Sequence, residues 1–393
     1  MAIDLNQLVQ LRHWLHAHPE VSREEFETAK HMRAFLAEHA APDEFIELDG
    51  AGFAAVYNGS ASGKTVMIRA ELDALPIHEI NSDIDYRSQY DGVGHKCGHD
   101  GHMAILAGLA QTLVERPAKG RVVLLFQPDE ETGTGARNCC LHPNFKQIQP
   151  DYVFALHNLP GFSKGSVICK TGTFASAVKY VAVTFSGKEA HSAQPETGAS
   201  PSFAMAELTL KARQIQANYD TPAAYALIVP VYTEMGVQAS GVCPGYGEVH
   251  FTLRAAQGAV VESMWDDLSA FARNLADDYG LAFDFETREE FAANTNSQLS
   301  FDMIKAASVQ AEAEFLLIDK PFRWGEDFGE LTNRFKGGMF GLGAGETLPD
   351  LHNPDYDFPD DLLMPGITMF SNLVQFGLSG EELNRVKSLE DNT

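Results

Sequence analysis

Hydrophobic and polar positions alternate along the first half of the chain in a pattern that predicts helices and strands in turn. Near the N-terminus, Leu5, Leu8, Leu11 and Leu15 recur at helical spacing, which predicts helical structure over residues 4–40. Further along, apolar runs predict buried strands at residues 66–68, 122–126 and 152–156 and a buried helix at residues 102–115. Continuous apolar strands are typical of a parallel sheet that is covered on both faces. Strands that alternate with helices favour an α/β domain.

The pattern changes near residue 175, where a β-branched and aromatic strand at 180–185 begins a new segment. The helix that follows, near 200–218, is predicted to start at Pro201, a favoured first helical residue. The remaining elements of the segment are strands at 225–233, 247–254 and 281–287 and a helix at 260–279. This β-α-β-β-α-β order is that of a ferredoxin-like domain.

From about residue 290 the chain returns to the first pattern, with a helix near 298–314 and a Gly-rich strand region at 337–345. We therefore predict a discontinuous α/β catalytic domain with a mainly parallel sheet covered by helices. A smaller, ferredoxin-like α+β domain is expected to be inserted within it. The predicted boundaries are 1–174 for the first part of the catalytic domain, 175–289 for the inserted domain and 290–393 for the second part.

Composition is consistent with this division and excludes some classes of partner. The chain has 393 residues, enough for two or three domains of roughly 150 residues. Its net charge of -25 disfavours binding to nucleic acid or to an anionic membrane, because both would be repelled. No run of 18 apolar residues occurs, so no membrane-spanning helix is predicted. We expect a small-molecule partner, and neither nucleic acid nor membrane.

The cysteines and the N-terminal residues bear on the compartment. Five cysteines form an odd set without the spacing of a disulfide framework, which favours a reducing environment. Residues 1–6 contain no basic segment followed by an apolar run, so no secretory signal is predicted. We expect a cytoplasmic protein.

Candidate chemistry lies in polar clusters that follow predicted strands, where open α/β sheets bind ligands. The first cluster, at residues 94–102, reads GHKCGHDGH. Cys97 and His99 lie two residues apart in a Gly-containing loop and could both face one metal ion. Thiolate and imidazole suit zinc or a similar ion. Taken alone, the pair is equally consistent with a structural or incidental arrangement.

The second cluster, QPDEE at residues 127–131, places Glu130 beside Glu131 after a buried strand. Adjacent carboxylates point in different directions in most backbones, so one could bind a cation while the other acts as a base. A solvated acidic turn is the commoner meaning of an isolated pair. His157 ends a predicted strand and His352 lies in a loop near the C-terminus; alone, each is as readily a structural histidine.

Taken together, these clusters supply a mixed set of metal-binding side chains: Cys97, His99, Glu131, His157 and His352. Such a set is suited to two divalent ions about 3.5–4 Å apart, which can activate a water and polarise an amide carbonyl. Glu130 is then left as the general base.

The ordered motifs resemble one branch of a known family. The runs are RAELDALP at residues 69–76, HKCGHDGH at residues 95–102 and QPDEE at residues 127–131. They are similar to the aminoacylase/hippurate-hydrolase branch of the dinuclear metallopeptidases. That branch includes auxin-conjugate hydrolases, N-acetyldiaminopimelate deacetylase and aminobenzoyl-glutamate hydrolases. The similarity extends from Arg12 to His352, and the ordered set is specific although no single motif is.

The resemblance implies two divalent metal ions per chain, zinc, manganese, nickel or cobalt. Cys97 would bridge the ions, and His99, Glu131, His157 and His352 would complete their coordination. Glu130 would take the proton from the attacking water and deliver it to the leaving amine. Asp73 corresponds to a family carboxylate that orients the ligands.

The resemblance also implies that the inserted domain is a lid and dimerisation domain, and it implies roles for residues at or beyond the predicted insertion. His191 would reach the substrate carbonyl, in the site of the partner subunit of a homodimer, and Gly325 would contribute to substrate binding. Two positions depart from the family pattern: Glu71 stands where Asp is usual, and Gly241 where Asn is usual. The second departure removes a side chain that could bind substrate.

We therefore predict a dinuclear metal-dependent amidohydrolase that deacylates N-acyl amino acids. Two alternatives stay open. One is a dipeptidase or carboxypeptidase of the same family. The other is a non-catalytic, ligand-binding relative, which the intact Glu130 and ligand set argue against and Gly241 mildly favours.

Overall fold

The computed structural model describes residues 3–221 and 224–379 of the chain. The chain divides into two compact units. Unit 1 comprises Met1–Phe174, Asn294–Lys320 and Asp327–Thr393, and unit 2 comprises Ala175–Ala293 and Pro321–Glu326. The short segment Pro321–Glu326 therefore groups with unit 2, although it lies within the range predicted for the second part of the catalytic domain.

Strands and helices are numbered in chain order. The strands are β1 (Glu44–Glu47), β2 (Phe53–Asn58), β3 (Thr65–Glu71), β4 (Arg121–Gln127), β5 (Tyr152–Pro160), β6 (Val167–Cys169), β7 (Gly172–Ala175), β8 (Ala177–Ser186), β9 (Ala190–His191), β10 (Ala226–Met235), β11 (Val242–Cys243), β12 (Tyr246–Ala255), β13 (Ala282–Phe291), β14 (Asn294–Asn296), β15 (Phe315–Leu317) and β16 (Lys336–Gly345). The α-helices are α1 (Leu5–Ala17), α2 (Phe26–His39), α3 (His99–Thr112), α4 (Gly135–Leu141), α5 (Ser202–Tyr219), α6 (Gly258–Tyr279), α7 (Gln298–Gln310), α8 (Gly329–Thr332) and α9 (Leu363–Ser379). Short 3₁₀ helices span Pro143–Gln147, Pro195–Thr197 and Asp360–Leu362.

Unit 1 is built on a sheet whose strands lie in the order β1-β2-β4-β3-β5-β16-β6-β15. Its central neighbours β4, β3, β5 and β16 pair in parallel, whereas β1, β2 and the β16–β6 pair are antiparallel. Every residue of β3 is buried, as expected of a strand covered on both faces. Helices α3 and α9 pack against β3 and against each other. The predicted mainly parallel α/β domain is confirmed.

The predicted helical stretch over residues 4–40 is two helices rather than one. Helix α1 ends at Ala17 and α2 begins at Phe26. Pro19 explains the break, because a proline disfavours helical backbone at the residue before it. The loop between these helices contacts Asp73 through the hydroxyl of Ser22.

Unit 2 contains a four-stranded antiparallel sheet in the order β10-β12-β8-β13. Helices α5 and α6 pack against it, and Val183, Leu208, Phe251 and Leu268 belong to their common buried core. The chain order β8-α5-β10-β12-α6-β13 confirms the predicted ferredoxin-like arrangement. Strands β9 and β11 form a separate two-stranded ribbon, which carries His191.

One helical segment among the described residues, Asp360–Ser379, is long and apolar enough to cross a membrane by length and composition, with a mean hydropathy of 1.2. Of the residues that give this value, 61% are buried inside the protein. Helix α9, which makes up most of the segment, packs on α3, α7 and β3. The segment therefore has the character of a core helix.

Candidate metal centre

The candidate site of unit 1 lies where β3, β4 and β5 end and α3 begins. Asp73 follows β3, Glu130 and Glu131 follow β4, and His157 lies within β5. Because these strands are parallel neighbours, their carboxyl ends meet at one edge of the sheet. The sheet thus brings together side chains that are far apart in the sequence.

The five ligand-type side chains predicted from the sequence converge at this edge. Sγ of Cys97 lies 3.4 Å from Nε2 of His157. Oε1 of Glu131 lies 3.7 Å from Nε2 of His352 and 4.0 Å from Nε2 of His99. Candidate ligand atoms lie within 4.8 Å of one another in the sets Cys97–His99–His157, Cys97–Glu131–His352 and His99–Glu130–Glu131. Cys97, His99 and Glu131 each occur in two of these sets, but the two sets that share Cys97 contain all four of the other predicted ligands, two in each, as expected if Cys97 bridges two ions.

Hydrogen bonds orient both buried histidines toward the cluster. Nδ1 of His99 donates to the carbonyl oxygen of Asp73 at 2.9 Å, and Nδ1 of His157 donates to that of Asn158 at 3.0 Å. In the neutral imidazole with its proton on Nδ1, which is the form that binds a metal, each Nε2 presents a lone pair to the cluster. Nε2 of His99 is buried and has no hydrogen-bond partner among the described residues. A coordinated cation would satisfy that atom, so the donor set fits divalent metal ions.

The electrostatics of the cluster also favour a cation. Burial raises the pKa of the Cys97 thiol well above its usual value, and the Glu131 and Glu130 carboxylates raise it further. Burial would lower the pKa of His99, but Glu71, Asp73 and Glu131 outweigh it and raise that pKa to about 10. Both shifts reflect concentrated negative charge in a buried space, which divalent cations would neutralise.

Asp73 makes hydrogen bonds to residues of the cluster without belonging to the candidate ligand set. Its carboxylate is buried, and Oδ2 accepts hydrogen bonds from the backbone N–H of Glu131 at 2.9 Å and from the Ser22 hydroxyl at 2.8 Å. Its carbonyl accepts the bond from His99 described above. Asp73 therefore holds two of the predicted ligands in place at once.

Glu130 lies beside Glu131 and is itself buried. Its Oε1 accepts a hydrogen bond from the backbone N–H of Asp327 at 3.3 Å. The preceding residue, Asp129, has a left-handed backbone with φ 59°, which is uncommon for a residue other than glycine. The turn that carries Glu130 is thus held in a conformation that needs support.

Close packing explains two further features of the cluster. Gly98 has φ 93°, and a Cβ atom there would lie 2.6 Å from Oδ1 of Asn158, so only glycine fits at the start of α3. His352 has φ 65°, and its backbone N–H donates to the carbonyl of Lys96 at 2.8 Å. That bond ties the His352 loop to the loop that carries Cys97.

Sequence reasoning missed the side chains that link these loops. Nδ1 of His102 lies 2.7 Å from Oε2 of Glu71, and Nε2 lies 2.5 Å from Oδ1 of Asn158, whose amide donates to the Tyr356 hydroxyl. Glu71 is also paired with the buried guanidinium of Arg69. The longer side chain at position 71 is therefore fully engaged in a buried network. In the sequence, Asn158 directly follows the predicted ligand His157, and this adjacency could have indicated that Asn158 lies at the site.

The structure places His191 and Gly325 in unit 2. His191 is exposed on β9, where its Nδ1 accepts a hydrogen bond from the backbone N–H of Ala193 at 3.1 Å. A Cβ atom at Gly325 would lie 2.8 Å from the Phe291 ring, so packing within unit 2 accounts for glycine there. A Cβ at Gly241 would meet no atom within 4 Å. The substrate-binding roles of His191 and Gly325 stay predictions.

The chain is similar to known proteins over most of its length. The family described as Peptidase family M20/M25/M40 matches residues 67–375. The N-acetyldiaminopimelate deacetylase of Exiguobacterium sibiricum is 27% identical over 91% of this chain and 95% of its own length. The N-acetyl-L-cysteine deacetylase of Bacillus subtilis is 29% identical over 91% and 85%. A crystal structure of a dinuclear metal-binding peptidase of the M20 family from Bacillus subtilis is 25% identical, with a TM-score of 0.80 over 95% of this chain and 98% of that one.

Proposed function

This chain belongs to peptidase family M20/M25/M40, and from that premise we propose that it hydrolyses the amide bond of N-acyl amino acids. Membership makes it a hydrolase of amide bonds; the acyl amino acid is the proposed substrate class. The observation that carries the proposal is the convergence of Cys97, Glu131 and three histidines beside the buried carboxylate of Glu130, which we assign as the base rather than as a ligand.

The relatives support an acyl amino acid as substrate. The two sequence relatives described above are named as enzymes that remove an acetyl group from the nitrogen of an amino acid. We therefore propose N-acetyl amino acids as the first substrates to assay, with N-benzoyl amino acids next. The free carboxylate and the acyl group of such a substrate are small enough for recognition by a few side chains.

Two divalent ions are proposed as the cofactor, held by Cys97, His99, Glu131, His157 and His352. Thiolate, imidazole and carboxylate together suit zinc, manganese, nickel or cobalt. When bound, such ions activate a water and polarise the carbonyl of the scissile amide.

The chain's own residues supply proton transfer. Glu130 is proposed as the general base that takes the proton from the attacking water and then delivers it to the nitrogen of the leaving amine. The hydrogen bond from the Asp327 backbone to Oε1 aims the carboxylate. A single carboxylate can perform both transfers, because the proton that it takes from the water is the one that the amine needs as the C–N bond breaks.

His191 is proposed to stabilise the negative charge that develops on the carbonyl oxygen. Because its Nδ1 accepts the Ala193 N–H, its proton resides on Nε2. Nε2–H is then the donor that an oxyanion requires. We propose that the protein is a cytoplasmic homodimer in which His191 serves the partner's site.

The proposal is tested by a substrate panel. Metal-free protein is reconstituted separately with Zn²⁺, Mn²⁺, Ni²⁺ or Co²⁺ and assayed with N-acetyl amino acids, N-benzoyl amino acids and unblocked dipeptides, with amine release as the readout. Turnover of an N-acyl amino acid is expected with at least one metal. Hydrolysis of dipeptides alone would instead identify a dipeptidase, and binding without turnover of any amide would identify a non-catalytic relative.

A further inference from the structure

The loop between α1 and α2 contacts the turn that carries Glu130. Oε1 of Glu25, at the end of this loop, accepts a hydrogen bond from the backbone N–H of Asp129 at 2.7 Å. Nε of Arg23 donates to Oδ2 of Asp129 at 3.2 Å, and the hydroxyl of Ser22 donates to Asp73. The loop therefore contacts Asp129 directly and is linked to Glu131 through Asp73, which accepts hydrogen bonds from both Ser22 and the Glu131 N–H.

Asp129 is bonded through every polar group it has. Beyond the bonds to Glu25 and Arg23, Oδ1 accepts from the Thr132 hydroxyl at 2.6 Å, and Oδ2 accepts from the Thr134 hydroxyl. Its carbonyl accepts the backbone N–H of Gly135 at 3.1 Å. Such bonds are what a left-handed residue other than glycine needs, because that backbone conformation is otherwise unfavourable.

The position of Glu130 depends on this arrangement. It lies between Asp129, which is held as described, and Glu131, whose N–H is bonded to Asp73. If Asp129 relaxed to a negative φ, the Cα–Cβ bond of Glu130 would point in a new direction. Misplacement of a catalytic group by about 1 Å can cost on the order of a hundredfold in rate.

We infer that Glu25 is a positioning residue for Glu130, acting through the backbone N–H of Asp129, with the Thr134 hydroxyl acting on the same residue through its carboxylate. The inference rests on the proposed function in taking Glu130 as the general base. Neither Glu25 nor Thr134 is assigned contact with substrate or metal.

The burial of Glu25 is costly, which argues for such a role. The residue is 0% exposed, and its Oε2 has no hydrogen-bond partner among the described residues. A buried carboxyl with one oxygen that lacks a hydrogen bond destabilises the fold, so its presence here is consistent with a functional role. Burial, with a smaller effect from Asp73, raises the pKa of Glu25 to about 7. Oε1 can accept the Asp129 N–H in either protonation state, so a glutamine should replace it.

The experiment compares four variants of the metal-loaded enzyme: Glu25→Ala, Glu25→Gln, Thr134→Val and the exposed neighbour Glu24→Ala as matched control. For each, kcat, KM, metal content and melting temperature are measured. Glu25→Ala is expected to lower kcat by about 10- to 100-fold and Thr134→Val by about three- to tenfold, with KM and metal content unchanged. Glu25→Gln is expected to keep kcat within about threefold, and Glu24→Ala to match the parent.

A purely structural role would lower the melting temperature of Glu25→Ala and leave its kcat per metal-loaded molecule intact, which would overturn the inference. Equal losses in Glu25→Ala and Glu25→Gln would also overturn it. If Glu25→Ala does not fold, Thr134→Val decides, since a normal kcat there contradicts positioning through Asp129. Glu130→Gln separates this inference from the proposed function. If that variant is inactive while Glu25→Ala and Thr134→Val are normal, only the positioning role fails.

Discussion

The backbone N–H of Glu131 donates to Oδ2 of Asp73 at 2.9 Å. Asp73 follows β3 and Glu131 follows β4, so this bond joins the ends of two neighbouring strands and holds a predicted ligand. Asp73 also accepts Nδ1–H of His99 through its carbonyl. A buried N–H that loses its acceptor is costly, and the ligand attached to it becomes less well ordered. We therefore expect Asp73 to affect metal affinity without being a ligand.

Replacing Asp73 with alanine is expected to weaken metal binding by about 10- to 100-fold, the usual cost of losing a residue that orients ligands. The measurement is competition for Zn²⁺ against a chromophoric chelator. The exposed Asp83→Ala serves as the control and should bind as the parent does. Unchanged affinity in Asp73→Ala would mean that Glu131 is held adequately by its other contacts.

Cys97→Ala should lose most or all of the two ions that we expect per chain. The reason is geometric, since Sγ of Cys97 lies close to ligand atoms of His99 and His157 in one candidate set and of Glu131 and His352 in the other. Elemental analysis after desalting gives the metal content. Cys140→Ala, a substitution outside the cluster, should retain both ions. Two ions retained in Cys97→Ala would remove that residue as the bridge.

Glu130→Gln should keep its metal ions and lose about 10²–10⁴ in turnover, which is the usual contribution of a general base. Glutamine preserves an oxygen that can accept the Asp327 N–H but cannot take up a proton from water. Stopped assays on protein with verified metal content provide the measurement. Normal turnover would show that another residue accepts the proton.

Patterns of apolar residues predicted the central strands of the large sheet and the elements of unit 2, but not strands β1 and β2 or helix α9. Glu131 follows β4 and His157 lies in β5, and parallel strands bring their carboxyl ends together, whereas Cys97 and His99 lie at the start of α3 between β3 and β4. His352 lies in a loop, and its assignment as a ligand depended on the family resemblance. Patterns of apolar residues contain no information on which loop that histidine will approach.

The contacts that hold the cluster could not be predicted in the same way. The bond between Glu25 and Asp129 and that between Asp73 and Glu131 join loops that are distant in the sequence. Neither has a periodicity or spacing that would reveal it. The left-handed backbone of Asp129 could not be predicted from the sequence either, because hydrogen bonds from other segments stabilise it.

A buried histidine away from the metal cluster gives a pH-dependent prediction. Burial would lower the pKa of His16, but hydrogen bonds to the Asp100 and Glu79 carboxylates, with Asp357 adding to them, raise it to about 9. A raised histidine pKa stabilises the fold fully below its unfolded value of 6.5, and that contribution is lost as the pH rises through about 9.

The free energy of unfolding of His16→Gln should therefore fall below that of the parent at about pH 6, and the difference should shrink by about pH 9.5. Urea unfolding of both proteins at the two pH values, at constant metal concentration, gives the comparison. A difference that does not depend on pH would mean that His16 contributes through packing rather than through its charge.

His191→Ala is expected to lower turnover by about 10²–10³ without a change in metal content, because one oxyanion donor is lost. The Ala193 N–H fixes the proton of His191 on Nε2, which is the atom that would face the substrate oxygen. If the donor serves the partner's site in a homodimer, mixing His191→Ala with Glu130→Gln should restore part of the activity. A hybrid dimer can then combine the intact Glu130 of one chain with the intact His191 of the other. Subunit exchange is verified with two affinity tags, and no recovery in the exchanged dimer would mean that His191 acts within its own chain or not at all.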